Sequence, residues 1–170
     1  MECLHPVLGA GDLAAERLEL ANINPQTGLA TDYLNHFNEV MMLLEMLPAM
    51  PDCAGDVLDW KPLDYVGHFE NSTFKDKKLA ILAYQAAPAS LRSHLEIQVA
   101  EINARVCQIQ DRLRQSPGAS DVAAEIADMA TNEIKPLISI AGAVIHGHVD
   151  LEATQHEGEG AQAEIDALFA

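Results

Sequence analysis

Histidine is the residue in this chain best equipped for chemistry near neutral pH, and there are seven: His5, His36, His68, His94, His146, His148 and His156. Several stand four residues from a carboxylate, as in Asp32 and His36, Asp64 and His68, His146 and Asp150, and His148 and Glu152. On a helix, residues i and i+4 share a face, so each pair can offer nitrogen and oxygen to one metal ion. Helical bundles build iron and manganese sites from such groups on facing helices. His36, His68, His148 and Glu152 are therefore the candidate ligands, and a metal ion is the cofactor they imply. The same pattern also has a plainer source. Asp32 and Asp64 fall in first turns of helices, where a carboxylate stabilises the dipole without a metal. A Glu-x-x-His spacing occurs at Glu2 to His5 but is not duplicated. His146 and His148 are two apart, so they diverge on a helix and converge only on a strand or loop.

The other chemistry-bearing pattern lies at the end of the chain. Gln162-Ala163-Glu164-Ile165-Asp166-Ala167-Leu168-Phe169 places Ile165, Leu168 and Phe169 at i, i+3 and i+4, with Glu164 and Asp166 beside them. One face is apolar, and the segment is too short to hold a helix alone in water. It has to fold against something, as a helix laid in a groove does. The stretch before it, Glu152 to Gly160, is polar and glycine-bearing, which reads as a linker.

Gln-x-Glu-Ile-Asp-x-Leu followed by an apolar residue resembles the N-terminal segment of the flagellar switch protein FliM, which binds the phosphorylated receiver CheY. It is similar, less closely, to the tethered tail helix of the chemotaxis phosphatase CheZ, an acidic helical protein with a long hairpin. The resemblance covers eight residues and has Phe169 where the switch protein usually has Leu. It implies that Gln162, Glu164, Ile165, Asp166, Leu168 and Phe169 bind a CheY-like receiver. That phosphatase also uses an acid and a glutamine one helical turn apart. Asp111 and Gln115 have this spacing, though the residues around them do not match its pattern.

The elements that must position these groups are helical. Asp12 is placed to cap a short helix to about Asn22, with Leu13, Leu18 and Leu20 for burial. Asn24-Pro25 and Thr27-Gly28 mark a turn. Thr31 caps a second helix in which Tyr33, Phe37, Val40, Met41 and Leu44 recur at helical spacing, and Pro48 and Pro51 end it. Residues 52–61 read as a loop. Helix resumes from Leu63 to Ala87, with a break near Asn71-Ser72-Thr73. From Pro88 the pattern is clearest: Leu91, Leu95, Val99, Ile102, Val106, Ile109 and Leu113 form one stripe, closed by Ser116-Pro117-Gly118. Such a stripe belongs in a core or a homodimer interface. A partner helix from Ser120 or Asp121 carries Val122, Ile126, Met129, Leu137, Ala141 and Val144, and Pro136 must kink or interrupt it. The short turn makes the two helices an antiparallel hairpin.

Composition agrees with an all-α class. Aromatics are 5% of 170 residues, and Ala, Leu, Ile, Met and Glu predominate. The expected organisation is a helical bundle over 1–151 with a linker and docking tail over 152–170. The formal charge of −16 repels phosphate backbones and anionic headgroups, which disfavours nucleic-acid and membrane roles. Cys3, Cys53 and Cys107 are odd in number and widely spaced, which suits reduced thiols in a cytoplasm. No Walker A loop, dinucleotide fingerprint, G-x-S-x-G or H-E-x-x-H occurs, and no His-x-x-Lys-Gly follows His36, His68 or His94. Lys75-Asp76-Lys77-Lys78 reads as a solvated helix face. Two functions stand side by side: an interaction or signalling protein whose tail docks on a partner, and a metal-binding bundle with redox chemistry.

Overall fold

Proline and glycine divide a chain rich in helix formers, and the computed structural model, which describes residues 6–148, follows those divisions. The helices are α1 (Ala15–Leu20), α2 (Leu34–Met46), α3 (Ala54–Asp59), α4 (Tyr65–Glu70), α5 (Lys77–Ala86), α6 (Ala89–Gln115), α7 (Ala119–Met129) and α8 (Lys135–Ile145). Among the described residues there is no strand, and the fold is all-α.

The apolar stripe of α6 faces inward. Leu95, Ile102, Val106, Ile109 and Leu113 are buried, and Leu91 and Val99 are half-buried. The turn at Ser116-Pro117-Gly118 sends the chain back, and α6 packs along α8. Arg112 pairs with Glu125 at 2.8 Å and Arg105 with Glu133 at 3.4 Å. The partner's number rises as the α6 number falls, which is the register of an antiparallel hairpin. α2 closes the bundle against α7 and α8, contributing Phe37, Val40, Met41 and Leu44 to the core.

Pro136 does not break the returning arm. A π turn occupies Ala130–Ile134 immediately before Lys135, with helical dihedrals on both sides. The wider turn lets the chain absorb a residue without an N–H and with a bulky ring toward the preceding turn.

Other expectations are corrected. Thr31 does not cap α2; it opens a single 3₁₀ turn, Thr31–Tyr33, that leads into the helix. Asp12 likewise sits in a 3₁₀ turn and pairs with Arg17 at 2.7 Å, while Leu20 is 89% exposed rather than buried. The stretch 52–61 is no loop: a 3₁₀ turn, Pro51–Cys53, runs into α3, whose Val57 is fully buried. Helix resumes at Tyr65 rather than Leu63, because Asp64 accepts the Gly67 N–H at 2.7 Å as its cap. The expected break around Asn71-Ser72-Thr73 does separate α4 from α5.

One glycine fixes the approach of the first loop. Gly28 has a φ of +74°, and a Cβ there would lie 2.6 Å from the Ala83 carbonyl oxygen of α5. Next to it the buried Thr27 hydroxyl donates to the Ile145 carbonyl at 2.7 Å, tying this loop to the end of α8.

Candidate functional site

The start of α2 and the whole of α4 bring two of the candidate ligands together. His36 and His68 have ring centroids 6.2 Å apart, although 32 positions separate them in sequence. Their carboxylate partners are not the expected ones. Asp32 reaches across to His68, Oδ2 to Nε2 at 3.0 Å, instead of serving His36 on its own helix. Asp64 is engaged as the α4 cap, and His36 Nε2 lies 2.9 Å from the Lys61 carbonyl oxygen.

Both rings are held by aromatic neighbours. His36 stacks on Trp60 at 4.6 Å and 25°, and the Trp60 indole N–H donates to the His36 carbonyl at 3.0 Å. His68 meets the Tyr33 and Phe69 rings edge-on at 5.5 and 4.9 Å. Burial lowers the His36 pKa below its ordinary 6.5, and the neighbouring His68 adds to that, against the opposing pull of the Lys61 carbonyl and Glu39. A neutral His36 donates its Nε2 proton to Lys61, which leaves Nδ1 as the lone-pair nitrogen.

This cluster opens into a cavity of about 340 Å³ that Glu39, Asn71 and Ser72 also line. Asp32, His68 and Ser72 have the residue types of a nucleophilic triad, but the geometry gives Ser72 another task. Its hydroxyl donates to the Phe69 carbonyl at 3.2 Å and accepts the Phe74 N–H at 3.1 Å, closing the turn between α4 and α5. The arrangement that remains is a carboxylate-oriented imidazole beside a second imidazole, which can exchange a proton or contribute ligands to a cation.

The third candidate ligand belongs to another part of the bundle. His148 follows the α8 terminus, beside the loop that Thr27 and Gly147 hold together. There His146 and His148 do converge, with ring centroids 6.0 Å apart, because Gly147 takes a φ of +77° and ends the helix between them. Glu152, and the tail residues Gln162, Glu164, Ile165, Asp166, Leu168 and Phe169, lie outside the described residues. Among the described residues no group of three or more His, Cys, Asp or Glu side chains is gathered to hold a metal ion. Asp111 pairs with Arg114 at 3.0 Å and is exposed, as is Gln115 at the α6 terminus.

Tyr33 joins the histidine pair to a second cavity that the sequence pattern did not single out. Tyr33, Tyr65 and Tyr84 line a groove of about 540 Å³ with the start of α4 on one side and Leu95 to Asn103 of α6 on the other. Tyr65 and Tyr84 stack at 4.4 Å and 13°. The Tyr84 hydroxyl donates to Glu96 at 2.9 Å; burial, then that bond and the Glu96 charge, push its pKa up to about 12. The signal available in sequence was scarcity. Only three tyrosines occur, and helical spacing alone places Tyr33 in the core stripe of α2 without regard to its hydroxyl.

Fold and cavities together define a helical bundle with a paired-histidine cluster and a tyrosine groove on adjoining faces. No protein-family model, no curated protein and no solved structure matches the chain.

Proposed function

We propose that this chain is a cytoplasmic helical interaction protein that docks through its C-terminal segment on a partner, a phosphorylated CheY-like receiver. The observation that carries the reading is the segment Gln162-x-Glu164-Ile165-Asp166-x-Leu168-Phe169, with three apolar anchors on one helical face and acids beside them. The bundle supports it by being self-sufficient: α6, which a dimer interface would need exposed, has Ile102, Val106 and Ile109 fully buried within the one chain. The test is calorimetric titration of the full chain, and of a chain lacking residues 161–170, with the stand-alone receivers of its source organism. Binding that requires both the tail and beryllofluoride on the receiver supports the reading. Binding to none of them, or binding that survives removal of the tail, overturns it.

A second reading, a histidine–carboxylate metal centre, draws on the 6.2 Å approach of His36 to His68 and on Asp32 at 3.0 Å from His68. Metal would have to take Nδ1 of His36 or displace the Lys61 carbonyl from Nε2. Elemental analysis of the purified protein decides it: near-stoichiometric iron, manganese or zinc that is lost in His36→Ala and His68→Ala supports the centre. Metal-free protein after growth in supplemented medium sinks it.

A further inference from the structure

The charged groups on the lining of the tyrosine groove are all of one sign. All three tyrosines of the chain line it. The Tyr33 hydroxyl donates to the Leu63 carbonyl at 2.8 Å and that of Tyr84 donates to Glu96, so both protons are engaged. The Tyr65 hydroxyl accepts the Ala30 N–H at 2.8 Å. The charged side chains on the lining are both carboxylates, Asp64 and Glu96, with no Lys, Arg or His among the lining residues, and Oδ1 of Asn103 is a further acceptor, buried with no hydrogen-bond partner. A buried acceptor without a donor is costly, so an occupant that brings an N–H group to it is favoured there. The cation nearest Tyr84 is turned elsewhere. Arg92 donates Nε to the Ala87 carbonyl at 3.2 Å and lies 5.9 Å from the Tyr84 ring centroid, outside the groove lining.

Apolar walls, two carboxylates and an orphan acceptor in a volume typical of small-molecule sites describe one ligand chemistry. We infer that this groove binds a small apolar amine in its protonated form, the ammonium facing Glu96, Asp64 and Asn103 and the apolar part lying between the tyrosines and Val99. Charge argues against the chain's own tail as occupant. The last 21 residues carry six acids and no Lys or Arg, so a tail entering here would meet Asp64 and Glu96 with like charge. The inference is independent of receiver docking, which uses the tail alone.

The experiment is an NMR titration of the isotope-labelled full chain with 2-phenylethylammonium, 2-phenylethanol and phenylacetate, three probes of similar shape and different charge. The ammonium should give saturable shifts in the amides of Val66, Val99 and Ala100. It should bind about tenfold or more tighter than the alcohol, the difference a charge-assisted hydrogen bond makes, and phenylacetate should not bind. Glu96→Gln, on an exposed side chain whose amide oxygen can still accept the Tyr84 hydroxyl, should remove most of the preference for the ammonium. Equal binding of the three probes, shifts elsewhere on the bundle, or an unchanged preference in Glu96→Gln would overturn the proposal. Release of amides between Ala163 and Phe169 by the probe would overturn it too, by giving the groove to the tail.

Discussion

Gln110 is the buried polar side chain that the core most depends on. It is 6% exposed, and its Nε2 donates to the Val57 and Trp60 carbonyls, both at 2.9 Å, closing the end of α3. Replacing it with Leu keeps the volume and strands two acceptors, so Gln110→Leu should lower stability by about 1–3 kcal/mol, read from the urea midpoint. An unchanged midpoint would show that water replaces the amide. The residue was legible: it stands four after Val106 and three before Leu113, so a glutamine on the core face demanded partners. What the sequence withheld was their identity, because α3 comes from 50 residues earlier. His36 makes a prediction of the opposite kind, one of protons. Its folded pKa is depressed by burial, so below about pH 6.5 the unfolded chain binds more protons than the folded one. Its contribution is complete above that pH and is lost as the pH falls through the folded value. In His36→Phe, which keeps a ring against Trp60, stability measured between pH 7.5 and 5.5 should fall less steeply than in the natural protein. Parallel profiles would assign the dependence to another group.

At the scale of elements, length decides how much local pattern is worth. α6 has 27 residues and seven apolar positions in register, enough to define a helix without its neighbours. Ile102 lies at its centre and is fully buried, so Ile102→Asp places an unpaired charge in the core. A loss of more than about 4 kcal/mol is expected, or failure to fold, judged by circular dichroism and thermal melting. A melting curve like that of the natural protein would contradict the packing of the hairpin. Short elements behave differently. α3 is six residues containing glycine and two aspartates, with proline shortly before it, a composition that reads as loop. It is helical because Val57 inserts into the core and Gln110 satisfies its last carbonyls, both tertiary effects. The same reasoning explains Asp12 and Thr31. Each occupies a 3₁₀ turn in which no side-chain cap forms, and the chain enters the following helix without one. At Pro136 the residue announced a disturbance, but whether it would be a kink, a break or a π turn depended on the packing of α7 and α8 against α2 and α6.

For the whole molecule the governing quantity is a charge of −16, with the basic residues concentrated in the middle of the chain. Seven of the ten lie between Lys75 and Arg114, and several are paired: Arg105 with Glu101 and Glu133, Arg112 with Glu125, Arg114 with Asp111. A net field of this sign speeds encounter with a basic groove on a partner, and added salt screens it. If the tail docks as proposed, Leu168 and Phe169 supply the anchors while Glu164 and Asp166 supply the steering. The two contributions separate in one set of measurements. Leu168→Ala with Phe169→Ala should raise the receiver Kd by tenfold or more, about 1.4 kcal/mol or above, because short docking helices depend on a few buried side chains. Glu164→Gln with Asp166→Asn should instead slow association and flatten its dependence on salt, leaving dissociation less affected. On the docking reading neither pair should move the melting temperature of the bundle, because the anchors then serve the receiver contact and not the core. A melting temperature that drops in the apolar pair would mean that Leu168 and Phe169 belong to the bundle's own packing, and the docking reading would fall with it.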